Sequence, residues 1–300
     1  VCSRSRAHGL AAIRARTRDI LADFAAGHLS ALARQALEDE VDLTPKPGLV
    51  DRRNTGAHDD MDRPLFHRSA GALAPYFRQF AARGMAGASP RELQSLGRQA
   101  EHAMLAATGG VNTHKGAVFS VGIVCAALGR LDRSLWAEAA RVLAEVSAMT
   151  AGLTEKDFAG VTAENAATVG QKLYIRYGIT GVRGQVEAGL PAVLNVGLPV
   201  LEEGLAKGYD FDRVGGGALL AILANSTDTN IIARSSRERQ LALTEELKAL
   251  LAQTPYPDKD ALAALDDRFI AENLSPGGSA DLLALTWLLH FVTTERNIDE

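Results

Sequence analysis

The 300 residues, 47 % of them hydrophobic and 5 % aromatic, suffice for a buried core in one large domain or two small ones. With 32 basic residues against 36 acidic ones the net charge is −4, so no global field favours nucleic acid and any polyanion must be met by a local basic pocket. The two cysteines, Cys2 and Cys125, lie far apart, which argues against a disulfide framework or a thiolate zinc site and fits a reducing cytoplasm; the longest apolar runs, such as LLALTWLLHFV at 282–292, fall short of the roughly 18 residues that a membrane crossing needs.

Apolar residues recur at three- and four-residue intervals and strict alternation is scarce, so the pattern predicts an all-α protein. In chain order the helices are expected over 10–25, 28–40, 64–83, 89–107, 115–129, 132–151, 162–177, 183–206, 213–225, 229–251, 258–272 and 279–296. The arginine-rich opening has no apolar h-region and merges into the first helical pattern, so it reads as helix and not as a targeting segment. Ser89, Pro90 and Glu92 form a capping signal, Thr162 is expected to begin its helix, and Gly129 and Gly178 are expected to end theirs. Pro191 and Pro199 should kink or divide the 183–206 segment. His8, His28, His67, His102 and His290 read as exposed or hydrogen-bonded helix residues. No repeat, linker or shift in composition marks a boundary, so a single helical domain over 1–300 is the economical expectation.

The polar residues left over gather in the connections: 44–62, GGVNTHKG at 109–116, GVRGQVEAG at 181–189, NSTDTNIIAR at 225–234 and NLSPGGSAD at 273–281. Irregular, glycine-containing polar segments on a plain helical scaffold imply loops that converge on one pocket. In the first, Pro45 and Pro47 flank Lys46 and stiffen the path, which suggests an ammonium held out towards a phosphate. His58, Asp59, Asp60 and Asp62 follow, and carboxylates about 4 Å apart repel by roughly 4 kcal/mol at an effective dielectric of 20, so they must splay into water or share a cation. Oxygen ligands of this kind suit magnesium, with phosphates completing the shell.

Asn112, Thr113, His114 and Lys115 stand at a helix entrance, where free N–H groups favour an anion; capping by Asn112 or Thr113 is the plain alternative. Ser275, Gly277, Gly278 and Ser279 form another entrance, with Asp281 in the first turn as either a dipole-favoured carboxylate or a metal ligand. Asn230 and Arg234 share a helical face behind Asp228 or Thr229 as cap, and Arg183 and Glu187 have the same spacing; such pairs are ordinarily surface interactions. Gly215 to Gly217 have no strand or lysine context and are not a phosphate loop. The residues alone therefore point to a helical, magnesium-assisted enzyme acting on a phosphorylated small molecule.

Taken together, EVDLTPKPGLVDRRNTGAHDDMD, GGVNTHKGAVFS, DTNIIAR and NLSPGGSADLLA resemble the signatures of the triphosphoribosyl-dephospho-CoA synthase family, which serves citrate lyase and malonate decarboxylase. The resemblance covers roughly residues 28–296 in order and leaves 1–27 as a variable N-terminal extension. It implies an all-α cytoplasmic enzyme that joins ATP to 3′-dephospho-CoA with release of adenine, and a separate transferase that loads the product on its carrier protein. Under this resemblance Lys46, Lys115, Arg183 and Arg234 would anchor the triphosphate, with Asn112, Asn230, Ser275, Gly277, Gly278 and Ser279 in the binding set and magnesium on some of Asp60, Asp228 and Asp281. Asp60 or His58 would take the hydroxyl proton, with Glu40 and His114 as the alternatives. A magnesium-dependent nucleotide or ADP-ribose hydrolase would use similar loops, and a non-catalytic helical interaction protein would leave them as solvated connections.

Overall fold

The computed structural model describes residues 2–294, with side chains for 16–17 and 19–294. The side chains of Cys2 and His8, and positions 295–296 of the last expected helix, lie outside the described residues. Among the described residues every regular element is helical and no strand occurs. The helices are α1 (Cys2–Asp42), α2 (Arg63–Met85), α3 (Pro90–Ala107), α4 (Lys115–Arg130), α5 (Ala139–Thr150), α6 (Leu153–Phe158), α7 (Val169–Tyr177), α8 (Gly181–Glu187), α9 (Leu198–Ala206), α10 (Phe211–Asn225), α11 (Thr229–Arg234), α12 (Arg237–Gln253), α13 (Lys259–Ala271) and α14 (Gly277–Thr294).

Three of these are apolar on nearly every face and form the centre. In α4 the residues from Ala117 to Gly129 are almost all buried, in α10 the run Val214–Ala224 is buried without interruption, and α14 is buried along most of Ser279–Val292. A helix that is hydrophobic all round belongs in a core, and the amphipathic α1, α2 and α3 cover this one from outside. The crossing of α2 and α4 depends on small residues: a methyl on Gly84 would lie 2.0 Å from the carbonyl oxygen of Ala126, and one on Gly129 would lie 2.2 Å from that of Ala81. Gly129 therefore lies inside α4 as a packing residue and does not end it, whereas Gly178 closes α7 in the left-handed conformation as expected.

Other departures have local causes. Gly27 does not divide α1: it faces open space, and the roughly 1 kcal/mol cost of a helical glycine is offset by the packing of the following turns against α2 and α14. The 162–177 helix starts at Val169, because Thr168 and Gln171 form a complete capping box while Asn165 Oδ1 turns back to accept from Thr162 N. The 132–151 segment is a 3₁₀ turn at Arg133–Leu135 capped by Asp132, then α5; the short α6 was not foreseen. Ser236 caps Arg239 N and so separates α11 from α12. The 183–206 segment ends α8 at Glu187 and passes through a π turn at Val193–Gly197 just ahead of Pro199, whose missing N–H and bulky ring disfavour a regular α turn there.

Candidate active site

The connection between α1 and α2 is held by two carboxylates that sequence reasoning passed over. Asp51 accepts from Thr44 Oγ1 at 2.7 Å, from Lys46 N at 2.9 Å, and from the N–H groups of Arg53 and Asn54 at 2.6 and 2.9 Å. Asp266 of α13, fully buried, accepts from Gly48 N at 2.9 Å and Asn54 Nδ2 at 2.7 Å and pairs with Arg53. The first part of the loop, 43–51, is thereby pinned and mostly buried, whereas 52–62 lies nearer the surface. Lys46, expected on an exposed stalk, is instead 1 % exposed, with its Nζ 2.6 Å from Glu40 Oε1 and 2.8 Å from the Glu40 carbonyl oxygen. An ammonium removed from water needs a carboxylate of its own, and Glu40 fills that role. Burial raises the Glu40 pKa, with Lys46 pulling the other way.

The same loop then meets the segment before α14. His58 Nε2 is 2.8 Å from Ser275 Oγ, its Nδ1 is 3.9 Å from Asp60 Oδ1, and the Arg234 guanidinium donates to the Ala57 carbonyl. Burial, then the charge of Arg234, holds the His58 pKa below its usual value, so the imidazole is neutral near pH 7. Asp60 remains largely exposed and, with Asp59, Asp62, Arg68 and Thr108, lines a cleft of about 450 Å³. Of the acidic cluster, Asp62 caps α2 by accepting from Leu65 N.

Asp228 joins α11 to α14. Its Oδ1 accepts from Asn230 N and Ile231 N, and its Oδ2 accepts from Ser279 N at 2.7 Å and Ser279 Oγ at 2.9 Å. Four donors occupy this carboxylate, and Asp228 and Ser279 together hold the entrance of α14 in place. Burial nevertheless raises the Asp228 pKa. Gly277 and Gly278 give clearance: a methyl on the first would lie 2.6 Å from Asn230 Nδ2, and on the second 3.2 Å from Asp228 Oδ2.

Asp281 stands differently. It lies against Gly116 at the start of α4, makes no hydrogen bond or ion pair with a described residue, and has its pKa raised well above the ordinary value by burial, Glu40 and Asp228. Among the described residues no group of three metal-ligating side chains is placed to hold an ion, so the expected trio of Asp60, Asp228 and Asp281 does not form a cage. The donor chemistry of Asp281 alone fits a cation that takes its other ligands from phosphate.

The remaining candidates also have partners. Asn112 Oδ1 accepts from Lys115 N, the capping alternative, while Lys115 pairs with Glu101. Arg183 pairs with Asp157 at 2.6 Å, not with Glu187, whose carboxylate accepts from Gly152 N and Thr154. Its helix nonetheless reaches the site, since Gly181 abuts Thr229. His114 is buried, with Nδ1 2.7 Å from Ser69 Oγ. Arg68 and Ser69 on α2 are further site residues without a sequence signal; they lie within an ordinary helical pattern, and only the fold turns them to the cleft and to His114.

Polar loops that are remote in sequence thus meet at one end of a rigid helical scaffold, the arrangement of an all-helical enzyme. A model of the family described as ATP:dephospho-CoA triphosphoribosyl transferase matches residues 26–299. The chain is 43 % identical over 267 residues to a protein of Pectobacterium atrosepticum named 2-(5''-triphosphoribosyl)-3'-dephosphocoenzyme-A synthase, covering 87 % of each chain. A protein of Albidiferax ferrireducens named as a probable synthase of this kind is 43 % identical over 280 residues, covering 90 % of each, and the synthase of that name from Escherichia fergusonii is 40 % identical over 281 residues, covering 89 % of this chain and 92 % of the relative. No solved structure gives a significant match. The chain belongs to the ATP:dephospho-CoA triphosphoribosyl transferase family.

Proposed function

We propose that this protein joins ATP to 3′-dephospho-CoA, forming 2′-(5″-triphosphoribosyl)-3′-dephospho-CoA and releasing adenine. The family match across residues 26–299 carries this reading, and it sets transfer to a hydroxyl above the hydrolase alternative. The ribose 2′-hydroxyl of dephospho-CoA attacks C1 of the ATP ribose, the C1–N bond to adenine breaks, and the transition state resembles a glycosyl oxocarbenium ion. The triphosphate stays whole and supplies remote binding energy for orientation.

His58 is the residue best suited to take the hydroxyl proton: its ring is neutral, Ser275 holds Nε2, and Asp60 lies beside Nδ1 to favour the imidazolium once formed. The proton can then leave with adenine. Arg68 lines the cleft without an ion pair to any described residue and is the cation most available to a phosphate, while Lys46 is committed to Glu40. Asp281 would hold a magnesium ion shared with the triphosphate, which would neutralise phosphate charge. No helix among the described residues is long and apolar enough to cross a membrane, and we place the protein in the cytoplasm, upstream of a transferase that loads its product on a carrier protein.

The test is chromatography of the products from ATP with and without dephospho-CoA. Free adenine together with a heavier nucleotide, formed only when both substrates are present, is the expected result. ADP-ribose or inorganic phosphate in their place would overturn it.

A further inference from the structure

His114 sits at the N-terminal entrance of α4, two residues before the glycine that backs on Asp281. Its ring is fixed from two sides: Phe66 meets it edge-on at 4.9 Å between centroids and Nδ1 lies 2.7 Å from Ser69 Oγ, while the backbone N–H of the residue points to Met104 Sδ at 3.3 Å. Thr113 Oγ1 donates to the same Ser69 oxygen at 2.7 Å. That bond leaves the Ser69 hydroxyl proton for Nδ1, and a neutral imidazole that accepts at Nδ1 carries its own proton on Nε2. Nε2 is buried and has no hydrogen-bond partner among the described residues. A buried N–H left unmade carries the full cost of its lost hydration, so an acceptor brought by a ligand is favoured there.

We infer that His114 acts as a neutral hydrogen-bond donor to the bound nucleotide through Nε2–H, with Ser69 and Thr113 as the positioning residues that fix its tautomer. Charged and titratable groups around the ring agree with this role. Burial first, and then Lys46 from the α1–α2 loop and His67 from α2, which both oppose a positive imidazole, hold its pKa down to about 3. A ring that keeps one proton across the working range and presents it on Nε2 has no lone pair there to accept another. His114 is thereby removed from the candidate bases, and proton abstraction is left to the His58 side of the site.

The test is nitrogen-15 NMR of the histidine rings in the full chain. In the ligand-free wild type the expected spectrum shows His114 with Nε2 protonated and Nδ1 unprotonated, unchanged between pH 8 and pH 5. Ser69→Ala should lose this single tautomer, and ATP added to wild type should move the Nε2–H resonance. In the adenine-release assay His114→Gln, which keeps a neutral donor, should exceed His114→Ala by about tenfold, the worth of one hydrogen bond of about 1.4 kcal/mol. An unprotonated Nε2 in the wild type, an unchanged tautomer in folded Ser69→Ala, or equal activities of the two His114 variants would each overturn the inference. The nucleotide arm rests on the transferase reading, whereas the tautomer is read without ligand, so failure of the one is distinguishable from failure of the other.

Discussion

A methyl group on Gly116 would stand 2.0 Å from Oδ2 of Asp281, so the first turn of α4 and the second turn of α14 meet with room for no side chain larger than hydrogen. The carboxylate, which makes no hydrogen bond with a described residue, is thus pressed against a helix start in another part of the sequence. Gly116→Ala must push Asp281 aside. The expected cost in stability is about 1–3 kcal/mol, typical of overpacking, while adenine release falls about a hundredfold, as a displacement near 1 Å at a reacting site does. Thermal melts and the product assay on one preparation check both, and full activity in a folded Gly116→Ala protein would remove Asp281 from the site.

Asp60 and Asp228 should respond in opposite ways to the same change. Asp60 is exposed at the cleft, so Asp60→Asn should shift stability by no more than about 0.5 kcal/mol while abolishing adenine release. Asp228 receives four donors between α11 and α14, and Asp228→Asn places an amide against some of them, costing about 2 kcal/mol. Urea unfolding separates the two; an Asp60→Asn enzyme that still turns over would show that this carboxylate plays no part in the chemistry.

The Lys46–Glu40 pair is a structural lock in the buried loop. Lys46→Met leaves a buried carboxylate without its cation, and the expected destabilisation is about 3–5 kcal/mol. Adding Glu40→Gln should recover most of that loss, because no charge then remains unpaired. Equal stability of the single and double variants would contradict the pairing.

Acid stability should carry the signature of His114. Its folded pKa is about 3 against an ordinary 6.5, so below pH 6.5 the unfolded chain takes up a proton that the folded protein does not. Its contribution is complete above that pH and is lost as pH falls towards 3, at up to about 1.4 kcal/mol per pH unit. Glu40, Asp228 and Asp281, whose pKa values are raised, act in the opposite sense as pH falls. Urea midpoints at pH 7.5, 6 and 5 should therefore decline more steeply in wild type than in His114→Gln, which isolates this group from the carboxylates. Parallel declines would mean that His114 is protonated when folded.

Much of the scaffold was legible from the chain alone because helix periodicity and capping are local. Ser89, Pro90 and Glu92 predicted the start of α3, and Gly178 the end of α7, from residues within one turn of each boundary. Local signals failed where two of them competed, as with Thr162 against Thr168, or where packing outweighed propensity, as at Gly27. The grouping of polar loops at helix entrances was also visible, since such residues have no place in a buried helical face.

What each polar side chain does there was decided by tertiary structure, for a physical reason: a charge acts according to its burial and its neighbours, and both are long-range properties. Lys46 looked like a presented cation and is a buried partner of Glu40; Asp228 looked like a metal ligand and is a filled double cap. Arg68 and Ser69 carried no signal at all, because nothing in the helical pattern of α2 says that one faces a cleft and the other a histidine 45 residues away in sequence. Helix periodicity and the polarity of the loops are written locally along the chain, whereas which loop charges remain open to a substrate depends on burial and on partners distant in sequence.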